Sequence, residues 1–220
     1  MNTRILITSL CLSLSVNIIH STTVHADEGD WLGRVRLLHV SPNDDSGSVS
    51  TIPGSSVTVD ADTTIELDFT YFLSKHLGVE LILGTSKHDI SGGGSIAGLG
   101  KIANAKTLPP VVTLQYHFLP DNNIRPYLGL GVNYTRFYDE KATASLNTAL
   151  GSTRVDLDDS WGLSIQAGVD IQVSRNWFVN LDAKYIQMDT TATLNSSGVI
   201  RTVNVDIDPW FIGIGFGTRF

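Results

Sequence analysis

The stretch from Trp210 to Phe220 constrains this chain more than any other. Trp210, Ile212, Ile214 and Phe216 alternate with Phe211, Gly213, Gly215 and Gly217, and Arg219 and Phe220 follow. An extended strand sends successive side chains to opposite faces. One face is therefore bulky, apolar and aromatic at its ends, while the other is nearly bare backbone with one cation. The outward face of a soluble sandwich would carry Thr, Ser, Lys or Glu rather than a row of glycines. Glycine suits the inside of a narrow barrel, and an apolar face with aromatic ends suits lipid and its two interfaces. The stretch reads as the closing strand of a small transmembrane β-barrel.

The same period of two recurs at 31–40, 63–72, 77–85, 111–118, 127–137, 160–173 and 177–187. It is cleanest at 63–72, where Ile65, Leu67, Phe69 and Tyr71 alternate with Thr64, Glu66, Asp68 and Thr70. With the last stretch this makes an all-β fold, an eight-stranded antiparallel transmembrane barrel, the smallest even number that closes in a membrane. The connections alternate in length. Those at 73–76, 119–124 and 174–176 are tight turns of Pro, Asn, Asp and Ser type. Those at 41–62, 86–107, 138–159 and 188–206 are long and rich in Ser, Thr, Asn, Asp and Gly. That is the pattern of short periplasmic turns and long extracellular loops.

Residues 1–26 read as a cleaved secretory signal peptide, leaving 27–220 as one barrel domain. Arg4 is followed by an apolar run from Ile5 to Ile19, too short to span a bilayer as a helix, and then by Val24-His25-Ala26. Its loss removes the single cysteine, Cys11, and makes the formal net charge of −7 one unit more negative. An acidic chain without thiols excludes nucleic acid as a partner and thiolate metal sites.

The faces opposite the apolar ones carry Arg34, Arg36, Glu66, Asp68, Glu80, Asp170, Asp182, Lys184 and Arg219. An Arg or Lys facing lipid near mid-membrane costs roughly 2–4 kcal/mol, so these residues are expected to face the lumen and pair there. Such pairs form either a plug or the lining of a conduit. Trp31, Tyr71, Tyr116, Tyr134, Trp161, Trp177, Tyr185 and Trp210 fall towards strand ends, as interfacial girdles do. The G-x-G-x-x-A match at Gly92–Ala97 has no βαβ unit around it and reads as a flexible loop. Ile96, Leu99, Ile102 and Ala103 are near helical spacing and suggest a short helix or turn over the barrel mouth. His39, His76, His88 and His117 show no ligand spacing. A catalytic pairing of His88 with Ser91 is a chance match, and no enzyme, metal or cofactor is expected.

The chain resembles the OmpW family of outer-membrane proteins. The resemblance is carried by Gly78-Val79-Glu80-Leu81, Leu108-Pro109-Pro110, Arg125-Pro126-Tyr127, Asp159-Ser160-Trp161-Gly162, Asn176-Trp177, Asp189-Thr190-Thr191-Ala192, Asp208-Pro209-Trp210 and Arg219-Phe220. It implies a barrel in outer-membrane lipid that passes small hydrophobic molecules through a narrow channel, including sideways through the wall. The alternative is a structural or adhesion barrel, or a bacteriocin or phage receptor. Phe220 resembles the signal read by the barrel-insertion machinery. The family's lumenal constriction matches Ile82 and Lys184. Lys184 replaces an aromatic found in related chains, and is expected to pair with Glu80, Glu66 or Asp182 and close the floor.

Overall fold

The computed structural model describes residues 28–220, so the leader expected at 1–26 lies outside the described residues. In chain order the strands are β1 (Trp31–Ser41), β2 (Asp45–Ser46), β3 (Ser55–Val59), β4 (Asp62–Phe72), β5 (Leu77–Gly84), β6 (Ser86–Gly94), β7 (Lys101–Leu108), β8 (Val111–His117), β9 (Ile124–Ala142), β10 (Thr153–Leu157), β11 (Ser160–Gln172), β12 (Trp177–Ile186), β13 (Asp189–Ser196), β14 (Val199–Asp206) and β15 (Trp210–Arg219). A 3₁₀ turn occupies Ala97–Leu99 and a short helix, α1, Ala144–Leu150.

β1, β4, β5, β8, β9, β11, β12 and β15 pair in that order, antiparallel throughout, and β15 returns to β1. The seam joins the first and last of the barrel strands. Its register runs from Leu32 opposite Arg219 to Ser41 opposite Trp210, and Trp31 and Phe220 exchange backbone bonds of 3.0 and 2.9 Å. Closure leaves no strand edge unpaired, which hydrocarbon requires.

The alternation sorts cleanly. Val35, Leu37, Ile65, Leu130 and Ile214 are more than half exposed on the outer wall, while Arg34, Arg36, Asp68 and Glu80 are fully buried. Two aromatic belts bound the apolar wall. Near the short turns, Trp31 packs on Tyr71 and Tyr116 on Phe118, each pair 5.1 Å between ring centres. Near the long connections, Tyr134 packs on Trp161 at 4.8 Å and Tyr185 on Trp210 at 5.4 Å.

Inner glycines leave room for large neighbours. A Cβ on Gly168 would strike the Tyr127 ring, and one on Gly217 the Phe178 ring. Both rings are fully buried. Gly168→Val is therefore expected to cost about 1–3 kcal/mol or more through overpacking. A reduced folded fraction after refolding into lipid, read from electrophoretic migration without heating, checks this.

The long connections depart from the loop expectation. They contain seven further strands that raise the barrel wall beyond the outer aromatic belt. β3, β6 and β7 continue one side, paired in the order β3-β6-β7-β9. β10, β13, β14 and β2 form a second sheet. Ser197 and Gly198, at φ of 52° and 93°, supply the two positive-φ positions of the β13–β14 hairpin turn. The first half of the segment read as a flexible glycine loop is strand, Gly92, Gly93 and Gly94 pairing with Val57, Ser56 and Ser55, while Ser95 and Ile96 form the turn that follows. The short helix or turn suggested near 96–105 is the 3₁₀ turn at Ala97–Leu99, and from Lys101 that stretch is strand, with Ala103, Ala105 and Thr107 pointing inward at period two from β7. These strands hide in sequence because one face meets water and is as polar as any loop.

Candidate functional site

The interior is layered along the barrel axis. At the end with the short turns, Leu32, Phe72 and Phe178 form a small apolar cluster. The His117 ring lies 5.0 Å from Phe72 and 5.2 Å from Tyr127, and the Arg125 guanidinium lies 5.8 Å from the Phe178 ring centre.

Above this sits the charge layer. Three cations, Arg34, Arg36 and Lys184, meet five carboxylates, Glu66, Asp68, Glu80, Asp170 and Asp182. Arg34 donates to Asp68 at 2.9 Å and grips Asp170 with two bonds of 3.0 and 3.3 Å. Arg36 reaches Glu66 at 2.7 Å, Glu80 at 2.8 Å, Asp68 at 2.9 Å and Asp182 at 3.3 Å. Lys184 is held more loosely, its Nζ 3.6 Å from Glu66 and 3.8 Å from Asp182. Neutral groups complete the layer. Tyr127 donates to Asp182 at 2.8 Å, and Gln166 donates to Glu80 and Asp182 at 3.0 and 2.8 Å. Charged groups persist here because the opposite face of every strand is committed to hydrocarbon, and pairing offsets the cost of burial. Packed side chains linked this way form a plug.

Ile82 lies in the next layer, among Leu38, Val111, Ile186 and Phe211. Over that floor, between the two raised walls, is an apolar chamber of ≈70 Å³. Its lining includes Val57, Ala105, Phe137, Leu146, Met188, Ala192, Val203, Val205 and Ile207. Val49, Ile102, Leu146 and Leu194 separate it from an outer apolar mouth of ≈310 Å³, which Ile96 and Leu99 also line. Leu146 is carried by α1, whose start is capped by the Thr143 hydroxyl accepting from the Leu146 N–H. Outside the membrane, hydrogen bonds from Lys141 and Lys106 hold the Asp139 carboxyl down to about 2, bracing β7 against β9.

All the sequence-selected charges but Arg219 thus converge in one layer, Arg219 being buried on β15 opposite Leu32 near the short turns. Of the chamber residues only a few, such as His88, Ile102 and Ala103, were picked out in the sequence, and for other reasons. The signal for the rest was Val203, Val205 and Ile207 alternating with Thr202, Asn204 and Asp206, inside a stretch too polar to stand out. His88 lines the chamber, but its hydroxyl partner is Ser86 at 2.8 Å rather than Ser91. Trp31, Tyr134, Trp161, Trp177 and Trp210 all lie on the outer face of the barrel wall.

The family model described as the OmpW family matches residues 27–220. The chain belongs to the OmpW family. It is 36% identical over 196 residues to outer membrane protein W of Vibrio cholerae, covering 88% of this chain and 89% of the relative. It is 30% identical over 221 residues to the dibenzothiophene metabolism operon protein PahQ of Pseudomonas aeruginosa, covering 96% and 98%. The crystal structure of the outer membrane protein OprG from Pseudomonas aeruginosa superposes with a TM-score of 0.83 at 34% identity, covering 89% of this chain and 98% of that one. This OmpW-family chain is an outer-membrane β-barrel, and lipid surrounds its apolar wall.

Proposed function

We propose that this barrel passes small hydrophobic molecules from outside the cell into the outer membrane. The supporting observation is an apolar chamber beneath an apolar mouth, its apolar floor lying over a packed charged layer. A solute entering from above meets apolar surface and then charged groups that offer it no onward path. The exit that fits is sideways. The ladder of β5 with β8 stops at Ile82 opposite Val111, and that of β4 with β5 at Glu66 opposite Gly84. Pro109 and Pro110, which carry no N–H for a ladder, precede β8. A crevice of ≈10 Å³ at this place is lined by Val40, Gly84, Thr85, Ser86, Pro109 and Phe211, and Val40 and Phe211 also line the chamber. It has room for about one water, so passage requires the strands here to part. A relative bearing the name of a dibenzothiophene metabolism operon is in keeping with an apolar aromatic solute. No chemical step belongs to this proposal.

Uptake of a labelled apolar solute by cells with and without the protein tests the reading, and equal rates overturn it. A Cβ on Gly84 would meet only ordinary contacts, Ile65 O at 3.7 Å being the nearest. Gly84→Leu is therefore expected to fill the crevice and slow uptake while the chamber still binds solute.

The packed lower lumen favours a second reading, a solid peg whose raised walls serve adhesion or act as a bacteriocin or phage receptor. It requires that uptake be unchanged by the protein, and that loss of cell attachment or of bacteriocin or phage sensitivity follow its deletion. Insertion through the terminal Phe220 is part of either reading. Phe220→Ala is expected to lower the amount assembled in the outer membrane.

A further inference from the structure

A polar cluster interrupts the apolar wall of the chamber at its base just above the crevice, apart from Thr190, which lines the chamber separately and donates its hydroxyl to the Asp158 carbonyl oxygen. His88 and Thr107 line the chamber and Ser86 the crevice, and all three are buried. Their hydrogen bonds form a chain. His88 Nδ1 lies 2.8 Å from the Asp60 carbonyl oxygen, His88 Nε2 lies 2.8 Å from Ser86 Oγ, and Ser86 Oγ lies 2.8 Å from Thr107 Oγ1.

A carbonyl only accepts, so the Asp60 oxygen places the proton of the neutral ring on Nδ1. Nε2 is then an acceptor, and the only hydrogen available to it along this chain is that of Ser86. With that hydrogen used, Ser86 can only accept from Thr107, whose own hydrogen is directed at Ser86. Every proton in the chain therefore points away from the chamber, towards Asp60. Thr107 Oγ1 is left with accepting capacity alone.

We infer that this cluster is a head-group site that accepts a hydrogen bond, and that the chamber favours hydrophobic molecules ending in a hydroxyl or another neutral donor. This rests on the reading of the chamber as the solute site. Pure hydrocarbons and ethers of the same size can still enter, but they leave Thr107 Oγ1 without the extra bond. A buried polar group gains most from a partner that reaches it.

The test uses the protein in lipid nanodiscs, with empty nanodiscs to subtract partition into lipid. Three probes of equal heavy-atom count, 1-octanol, methyl heptyl ether and nonane, are titrated against the methyl NMR signals of Ala105 and Val203 in the chamber wall. The expected result is that octanol binds about fivefold more tightly than either of the others, the scale of one net hydrogen bond. Thr107→Val is expected to abolish the ratio of octanol to nonane affinity, and Thr107→Ser to retain it. Equal binding of all three probes overturns the head-group site and leaves the transport reading standing. Ether binding as tightly as octanol shows that the cluster donates, and also overturns it. If none of the probes shifts either methyl signal, the chamber is not a solute site and both readings fall. The comparison of probes on the unaltered protein holds whatever the folding of the variants.

Discussion

Arg36→Ala is expected to destabilise the barrel by roughly 3–5 kcal/mol, the scale measured when one partner of a buried ion pair is removed. Arg36 reaches Glu66, Asp68, Glu80 and Asp182 within 3.3 Å, and all are buried. Without it Arg34 and Lys184 would face five carboxylates. Lys184 cannot take over, since it stands 3.6 Å from the nearest of them. Arg36→Lys keeps one charge but cannot span four acceptors, so it should recover only part of the loss. Urea unfolding in lipid measures both. A stability unchanged in Arg36→Ala would show that water, rather than pairing, supports these carboxylates, and the lower lumen would then not be a sealed plug.

Ala192→Phe is expected to reduce uptake of an apolar solute by about tenfold or more, because the chamber has to be empty to receive a ligand. Ala192 lies on β13 facing the void, opposite Leu157 and Val203 in the strand pairing. An aromatic ring there occupies much of ≈70 Å³. Because the ring enters a cavity rather than a packed core, the stability cost should stay at the lower end of the 1–3 kcal/mol range for overpacking. Leu130→Phe, on the lipid face and 70% exposed, is the matched control and should leave uptake unchanged. Equal uptake in both variants would remove the chamber from the route.

Much of this was readable from residue order. Each of the eight barrel strands lies within a few residues of its expected limits. The charges at Arg34, Arg36, Glu66, Asp68, Glu80, Asp170, Asp182 and Lys184 all sit on the expected face. The reason is that lipid is an unforgiving neighbour: a polar side chain in the outward row costs too much to be tolerated, so alternation survives undiluted. Above the membrane that pressure is absent. β3, β6, β7, β13 and β14 face water on one side and an internal cavity on the other. Thr58 and Asn204 could therefore sit between inward valines and disguise strands as loops. The pairing of His88 with Ser86 was missed for a related reason, since residues two apart on a strand share a face only once the strand itself is recognised.

The amino-acid order by itself determined that a sheet closes in a membrane, which face meets lipid and which charges are turned inward. A period of two against hydrocarbon is a purely local signal. Which carboxylate each arginine holds, that two raised walls enclose an apolar chamber, and that a chain of hydroxyls at its base leaves one oxygen free to accept were decided only by the tertiary structure. Those relations join residues as far apart as Arg34 and Asp170, and they depend on how the closed sheet brings its strands round to face one another.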